Sequence, residues 1–146
     1  MSQPFVTRRR VEFGDTDMAG IAHFSNFFRY MEAAETDFLH ARGLSVTWRD
    51  GDRRYGFPRV SVGCDFKRPV RFEDVLEIEV TVEEVGRKSV KYRFDFRRDG
   101  ADVAVGRITA VYCRTTPDHG IESLDIPDDV RAKLAAPVKG PDGPGR

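Results

Sequence analysis

Residues 26–42 carry apolar side chains at helical spacing (Phe27, Tyr30, Met31, Ala34, Phe38 and Ala41) opposite a polar side of Arg29, Glu32, Glu35 and His40. No other stretch before the C-terminal segment has this period. From residue 60 to 115 the chain alternates with period two instead. The runs are Val60, Val62, Cys64 and Phe66; then Leu76, Ile78, Val80 and Val82; then Val90, Tyr92, Phe94 and Phe96; and last residues 103–115. One helix of about 25 Å, at 1.5 Å per residue, must therefore serve several strands. It can bury its apolar stripe by lying across a curved antiparallel sheet of five or more strands, which predicts an α+β fold. The links at 69–74, 85–88 and 98–100 are short, so consecutive strands are expected to pair as a meander.

The flanks fill in this plan. Residues 5–13 alternate around Phe5, Val11 and Phe13 and predict a first strand ended by Gly14. Ser25 or Asn26 is placed to cap the long helix, and Gly43 to end it. Residues 44–58 mix Trp48, Tyr55 and Phe57 with Arg, Asp and Gly, which predicts a loop with room for one short helical turn. These aromatics either cover the core or line a pocket. In the last strand the apolar phase changes between Val105 and Ile108, which points to a bulge at Gly106. Residues 126–134 form a short terminal helix begun by Pro127. A single domain over 1–136 and a flexible tail over 137–146 complete the expected organisation. An apolar edge strand is a liability in a monomer, and pairing two sheets edge to edge removes it, so a homodimer or homotetramer is expected.

Charge excludes some classes of function. Lys and Arg balance Asp and Glu at 24 each, so no net field draws the chain to nucleic acid or to an acidic membrane surface. No stretch reaches the roughly 20 apolar residues of a membrane span. The two cysteines, Cys64 and Cys113, fall in strand runs without ligand spacing and read as small buried hydrophobes, and the first residues show no signal-peptide pattern. The expected location is the cytoplasm.

Candidate chemistry concentrates in residues 13–28, FGDTDMAGIAHFSNFF, where a strand end, a carboxylate-rich turn, two small residues and a helix start meet. Asp15 lies next to the strand and suits a turn-holding role. Asp17, further into the loop beside Met18, Ala19 and Gly20, is the candidate catalytic carboxylate. The amides that open the helix can stabilise a developing negative charge. His23 is a second candidate, as a proton carrier or as a packed side chain. His40 and His119 read as structural. No further carboxylate or histidine group stands close enough to favour a metal, so no metal or separate cofactor is expected.

The segment DTDMAG before the helix, together with YMEAAETDFL, GLS, FP, DFKRPVRFED and VGRKS, resembles the hotdog-fold thioesterases of the 4-hydroxybenzoyl-CoA thioesterase family, including those associated with the Tol-Pal system. The similarity runs from about residue 11 to 115. It implies hydrolysis of an acyl- or aryl-CoA to free CoA and a carboxylic acid, with Asp17 as nucleophile or general base and the backbone amide of Phe24 as oxyanion donor. It also implies a site between two subunits, with CoA as part of the substrate. Gly20 and Asn26 are expected near the substrate, and Arg87, Lys88 and Ser89 near the CoA phosphates, with Lys67 and Arg68 as a second basic choice. Some relatives have a histidine at the position of Phe24 and many a tyrosine at that of Phe27; here the histidine is His23. An acyl-thioester hydratase or a non-catalytic acyl-CoA-binding module are the alternatives on the same fold.

Overall fold

The computed structural model describes residues 4–138, 140 and 141. In chain order the elements are β1 (Phe5–Arg10), α1 (Asn26–His40), β2 (Thr47–Asp50), β3 (Arg53–Gly56), β4 (Arg59–Phe66), β5 (Val75–Val85), β6 (Ser89–Arg98), β7 (Ala101–Val111), β8 (Cys113–Thr115), β9 (Ile121–Ser123) and α2 (Asp128–Ala135). A large antiparallel sheet has the order β1-β5-β6-β7-β4, and a small one the order β2-β3-β8-β9. Helix α1 lies across the inner face of the large sheet. At one end Phe27 meets Phe66 and Phe96, with ring centroids 5.0 and 5.2 Å away; at the other Phe38 meets Phe5 and Tyr92 at 5.4 and 5.8 Å. The outer face is charged and laced by ion pairs such as Arg8–Glu77, Arg97–Glu79 and Arg107–Glu83. This is the α+β arrangement, one helix across an antiparallel sheet, that the order of elements predicts.

Several expectations need correction. Strand β1 stops at Arg10, and Phe13–Asp15 forms a 3₁₀ turn, because the Asp15 carboxylate accepts the Glu12 N–H at 2.9 Å and pulls the chain around; Phe13 is left exposed. Only β5, β6 and β7 form a meander. Strand β4 pairs with β7 at the opposite edge, since the link after it passes below the start of α1, where the Ala22 N–H donates to the Val70 carbonyl at 2.8 Å. Residues 44–58 are not a loop but contain the β2–β3 hairpin, turned at Gly51, whose φ is +65°. Trp48 and Tyr55 stack there at 5.9 Å with Tyr112 alongside, and they cover the core above the fully buried Phe57. Neither Ser25 nor Asn26 caps α1 through its side chain; Ser25 already has helical dihedrals, and the first turn is closed by Asn26 N–H to the His23 carbonyl. Glu35, expected on the polar side of α1, is completely buried, whereas Ala41 is exposed.

Gly43 does end the helix, at φ +71°, with the Leu44 N–H donating to the Leu39 carbonyl at 2.9 Å. Helix α2 starts after Pro127 as expected and buries Val130 and Leu134. Of the expected tail, residue 139 and residues 142–146 lie outside the described residues.

The phase change in β7 comes from Val103, the extra residue where Phe96 faces Ala104 and Arg97 faces Asp102, so Gly106 is not at a bulge. Gly106 stands in regular register with Phe94 and Cys64, under the crossing of α1. A Cβ there falls 2.6 Å from Met31 Sδ and 3.3 Å from Met31 Cγ, so the helix can approach only a bare backbone. Met31 is fully buried and has little room to yield. Gly106→Ala is therefore expected to cost about 1–3 kcal/mol through overpacking, read as a lower urea midpoint with unchanged slope. Met31→Ala in the same chain opens the volume the new methyl needs, so the two costs combine less than additively.

Candidate active site

The loop between β1 and α1 is a tight reversal. Thr16 bridges Ala22, the Asp17 N–H donates to the Ile21 carbonyl at 2.9 Å, and the His23 N–H donates to the Asp15 carbonyl at 2.8 Å. Gly20 closes its tip at φ +79°, with its N–H on the Asp17 carbonyl at 2.9 Å, a left-handed position that a side chain would strain.

Asp15 anchors the loop to the helix. Its carboxylate accepts the Tyr30 hydroxyl at 2.8 Å as well as the Glu12 N–H, and its carbonyl accepts Asn26 Nδ2 at 2.8 Å. Burial, reinforced by the bond to Asp15, pushes the Tyr30 phenol above its ordinary value, so it remains a protonated donor. Tyr30→Phe removes a bond to a charged acceptor and is expected to cost about 1.5–3 kcal/mol, measured by chemical denaturation.

Asp17 differs from Asp15. Its Oδ1 accepts the Ala19 N–H at 2.8 Å, a local turn contact, and its carboxylate makes no ion pair among the described residues. It is partly exposed, in a stretch whose apolar side chains Met18, Phe24 and Phe28 are exposed as well. The Phe24 N–H donates to no other described group, and it stands just before a helix of 15 residues whose dipole favours negative charge at that end. His23 is half-buried and stacked on Phe24 at 4.6 Å, with Nδ1 engaged by the Ser25 hydroxyl at 2.8 Å. Among the described residues no group of His, Cys, Asp and Glu could hold a metal.

Asp17, Gly20, His23, Phe24 and Asn26 thus share one loop and helix start. Within one protomer Arg87, Lys88 and Ser89 stand apart from them. The start of β5 lies beside the Asp17 loop, through the Val11 N–H on the Asp74 carbonyl, whereas the 86–89 turn follows the other end of this strand of 11 residues, roughly 35 Å away at 3.3 Å per residue. Arg87 lies 3.4 Å from Asp125, and Arg131 donates to the Val85 and Gly86 carbonyls. Of the second basic choice, Arg68 donates to the Asp102 carbonyl at 2.6 Å. The cysteines are free: Cys113 is buried, and burial pushes the half-buried Cys64 thiol up to about 11. No helix among the described residues is long and apolar enough to cross a membrane.

Three relatives place this arrangement. The 4-hydroxybenzoyl-CoA thioesterase of Pseudomonas sp. strain CBS-3 is 35% identical over 70% of this chain and 76% of its own. Its solved structure superposes with a TM-score of 0.78 at 25% identity, covering 90% of this chain and 99% of that one. A 1,4-dihydroxy-2-naphthoyl-CoA hydrolase of Prochlorococcus marinus strain MIT 9303 is 34% identical over 62% of this chain and 64% of its own. The structure of a gentisyl-coenzyme A thioesterase matches at 32% identity and a TM-score of 0.77, over 89% of this chain and 99% of that one. The profile of the thioesterase-like superfamily covers residues 11–134, and with these relatives it shows that the chain belongs to that superfamily, as a hotdog-fold member of the 4-hydroxybenzoyl-CoA thioesterase type.

Proposed function

We propose that the chain hydrolyses an aromatic acyl-CoA to free CoA and the aryl carboxylic acid, with Asp17 as the reacting carboxylate and the Phe24 N–H as oxyanion donor. The observation that carries this reading is the pairing of an ionisable carboxylate engaged only by its own turn with an unpaired amide at the amino end of a long helix, both inside one reversal. The named relatives act on 4-hydroxybenzoyl, dihydroxynaphthoyl and gentisyl thioesters of CoA, which favours an aromatic acyl group.

Asp17 either attacks the thioester carbonyl, expelling CoA thiolate and leaving an anhydride that water cleaves, or takes a proton from the attacking water. In both cases negative charge grows on the carbonyl oxygen and is met by the helix amide. His23 flanks the site without a carboxylate partner among the described residues, which weighs against an acid/base hydratase.

A second copy of the chain completes the site in this reading. Strand β4 is an edge, and on its inner face Val62 and Phe66 remain 46% and 49% exposed, although Phe66 touches Phe27 of α1. Pairing β4 with β4 of a second subunit closes this edge. The test is thiol release from a panel of aromatic, short and long acyl-CoAs, with the oligomeric state read by light scattering. Turnover of an aryl-CoA by a dimer or tetramer supports the reading; no thiol release from any member overturns it.

A further inference from the structure

Three arginines of the β2–β3 hairpin differ from those on the outer face of the large sheet. On the outer face of the large sheet Arg8, Arg93, Arg97 and Arg107 each meet a carboxylate. Arg49, Arg53 and Arg54 make no ion pair among the described residues, and Arg49 stands directly across from Arg54. Like charges in that position oppose the pairing of the strands unless something neutralises them. All three line one cavity of about 570 Å³, with His119 and Thr115 as further donors and Asp52 as its one carboxylate. A second cavity of about 240 Å³ adjoins it through Arg54, Thr115 and Ile121 and turns apolar along Tyr55, Phe57 and Pro58. A cationic compartment thus opens into an apolar one.

We infer that this double cavity holds the phosphorylated nucleotide of a CoA thioester, with the phosphates on Arg49, Arg53 and Arg54 and the adenine against Ile121, Tyr55 and Pro58. The inference rests on the thioesterase reading for the rest of the substrate. Guanidinium forks suit phosphate oxygens, and several phosphates on one ligand match several arginines. Arg87, the other basic choice at this end of the fold, already faces Asp125. Within one protomer the cavity and the Asp17 loop lie at opposite ends of the large sheet. Strand β4 runs from Arg59, which lines the smaller cavity, to Phe66, beside Phe27 at the Asp17 end. Antiparallel pairing of two β4 strands about a two-fold axis therefore sets the hairpin of one protomer next to the Asp17 loop of its partner. The nucleotide is held in trans.

The experiment compares wild type with Arg49→Gln/Arg54→Gln on the best aryl-CoA and on the same acyl group as its N-acetylcysteamine thioester, which lacks the nucleotide. The ratio of kcat/KM on the CoA substrate to that on the short thioester is expected to fall about tenfold or more, through KM. Adenosine 3′,5′-bisphosphate is expected to compete with the CoA substrate in wild type and to lose this effect in the variant. Because the substitutions remove a repulsion, the variant is expected to melt no lower than wild type. An unmoved ratio, or an equal fall on both thioesters, overturns the assignment. If wild type cleaves neither thioester, the function reading fails separately, and calorimetry with adenosine 3′,5′-bisphosphate decides: binding that the double substitution abolishes upholds the site, and no binding overturns it. Equal competition by inorganic phosphate reduces the cavity to a bare anion site and overturns the nucleotide assignment.

Discussion

Asp17→Asn is expected to lower kcat on the preferred aryl-CoA by on the order of a hundredfold or more, about 2.7 kcal/mol of transition-state stabilisation, while leaving the melting temperature within a degree or two of wild type. The two halves of this expectation come from the same geometry. Among the described residues the side chain has one polar contact, Oδ1 accepting the Ala19 N–H at 2.8 Å, and an amide oxygen accepts that bond as well as a carboxylate oxygen does. The turn is also held by main-chain bonds from Asp17 to Ile21 and from Gly20 to Asp17, which the substitution does not touch. What is lost is the charge. An amide neither attacks a thioester carbonyl nor takes a proton from water at neutral pH. Asp15→Asn is the contrasting control, because Asp15 accepts both the Tyr30 hydroxyl and the Glu12 N–H. There stability is expected to fall together with rate. Turnover that survives Asp17→Asn on thiol-release assay moves the reacting carboxylate elsewhere on a fold that stands unchanged.

How far such a site can be read from sequence depends on the range of the interactions that build it. Asp17, Gly20 and Phe24 lie within one short reversal, so their proximity follows from local chain geometry, and the turn-holding role of Asp15 was legible from its place beside the strand. Helix α1 was legible because an apolar stripe that recurs every three to four residues over four turns fits a helix and no strand. Non-local facts were not. Period two says that β4 is a strand but not that it pairs with β7 rather than β5, since only the path of residues 67–74 below the helix start decides which edge it joins. Likewise Gly106 carries no local mark that separates a bulge from a close approach by Met31. The β2–β3 hairpin was hidden for another reason: Arg and Asp take most of its outward positions, so its alternation rests on Trp48 and Tyr55 alone. Of these charged positions Arg49, Arg53 and Arg54 line the cavity.

Glu35→Ala is expected to cost about 3–5 kcal/mol, a large share of the roughly 5–15 kcal/mol typical of a folded domain. Glu35 points from the middle of α1 into the core, wholly buried, and its Oε1 accepts both Nε and Nη2 of Arg59. Arg59 reaches it because a register shift between Arg59 and Ser61 turns the first residue of β4 inward, opposite Ala110. The remaining oxygen, Oε2, and the nearby Tyr92 hydroxyl are buried without partners among the described residues. Alanine leaves a cavity and an unpaired guanidinium. Replacing both partners, Glu35→Leu with Arg59→Leu, is expected to recover most of the loss, because an apolar pair of similar volume avoids the desolvation that burdens the ions. Burial raises the Glu35 carboxyl above its ordinary 4.5 although Arg59 opposes the rise. Below 4.5 the folded and unfolded states are both protonated; above it the folded state keeps a proton that the unfolded state has released, so stability falls as pH rises toward the raised value and then levels. Glu35→Gln has no such step. The advantage of wild type over Glu35→Gln in urea unfolding is therefore expected to shrink as pH rises through this window, and an advantage that grows instead means that attraction to Arg59 outweighs burial.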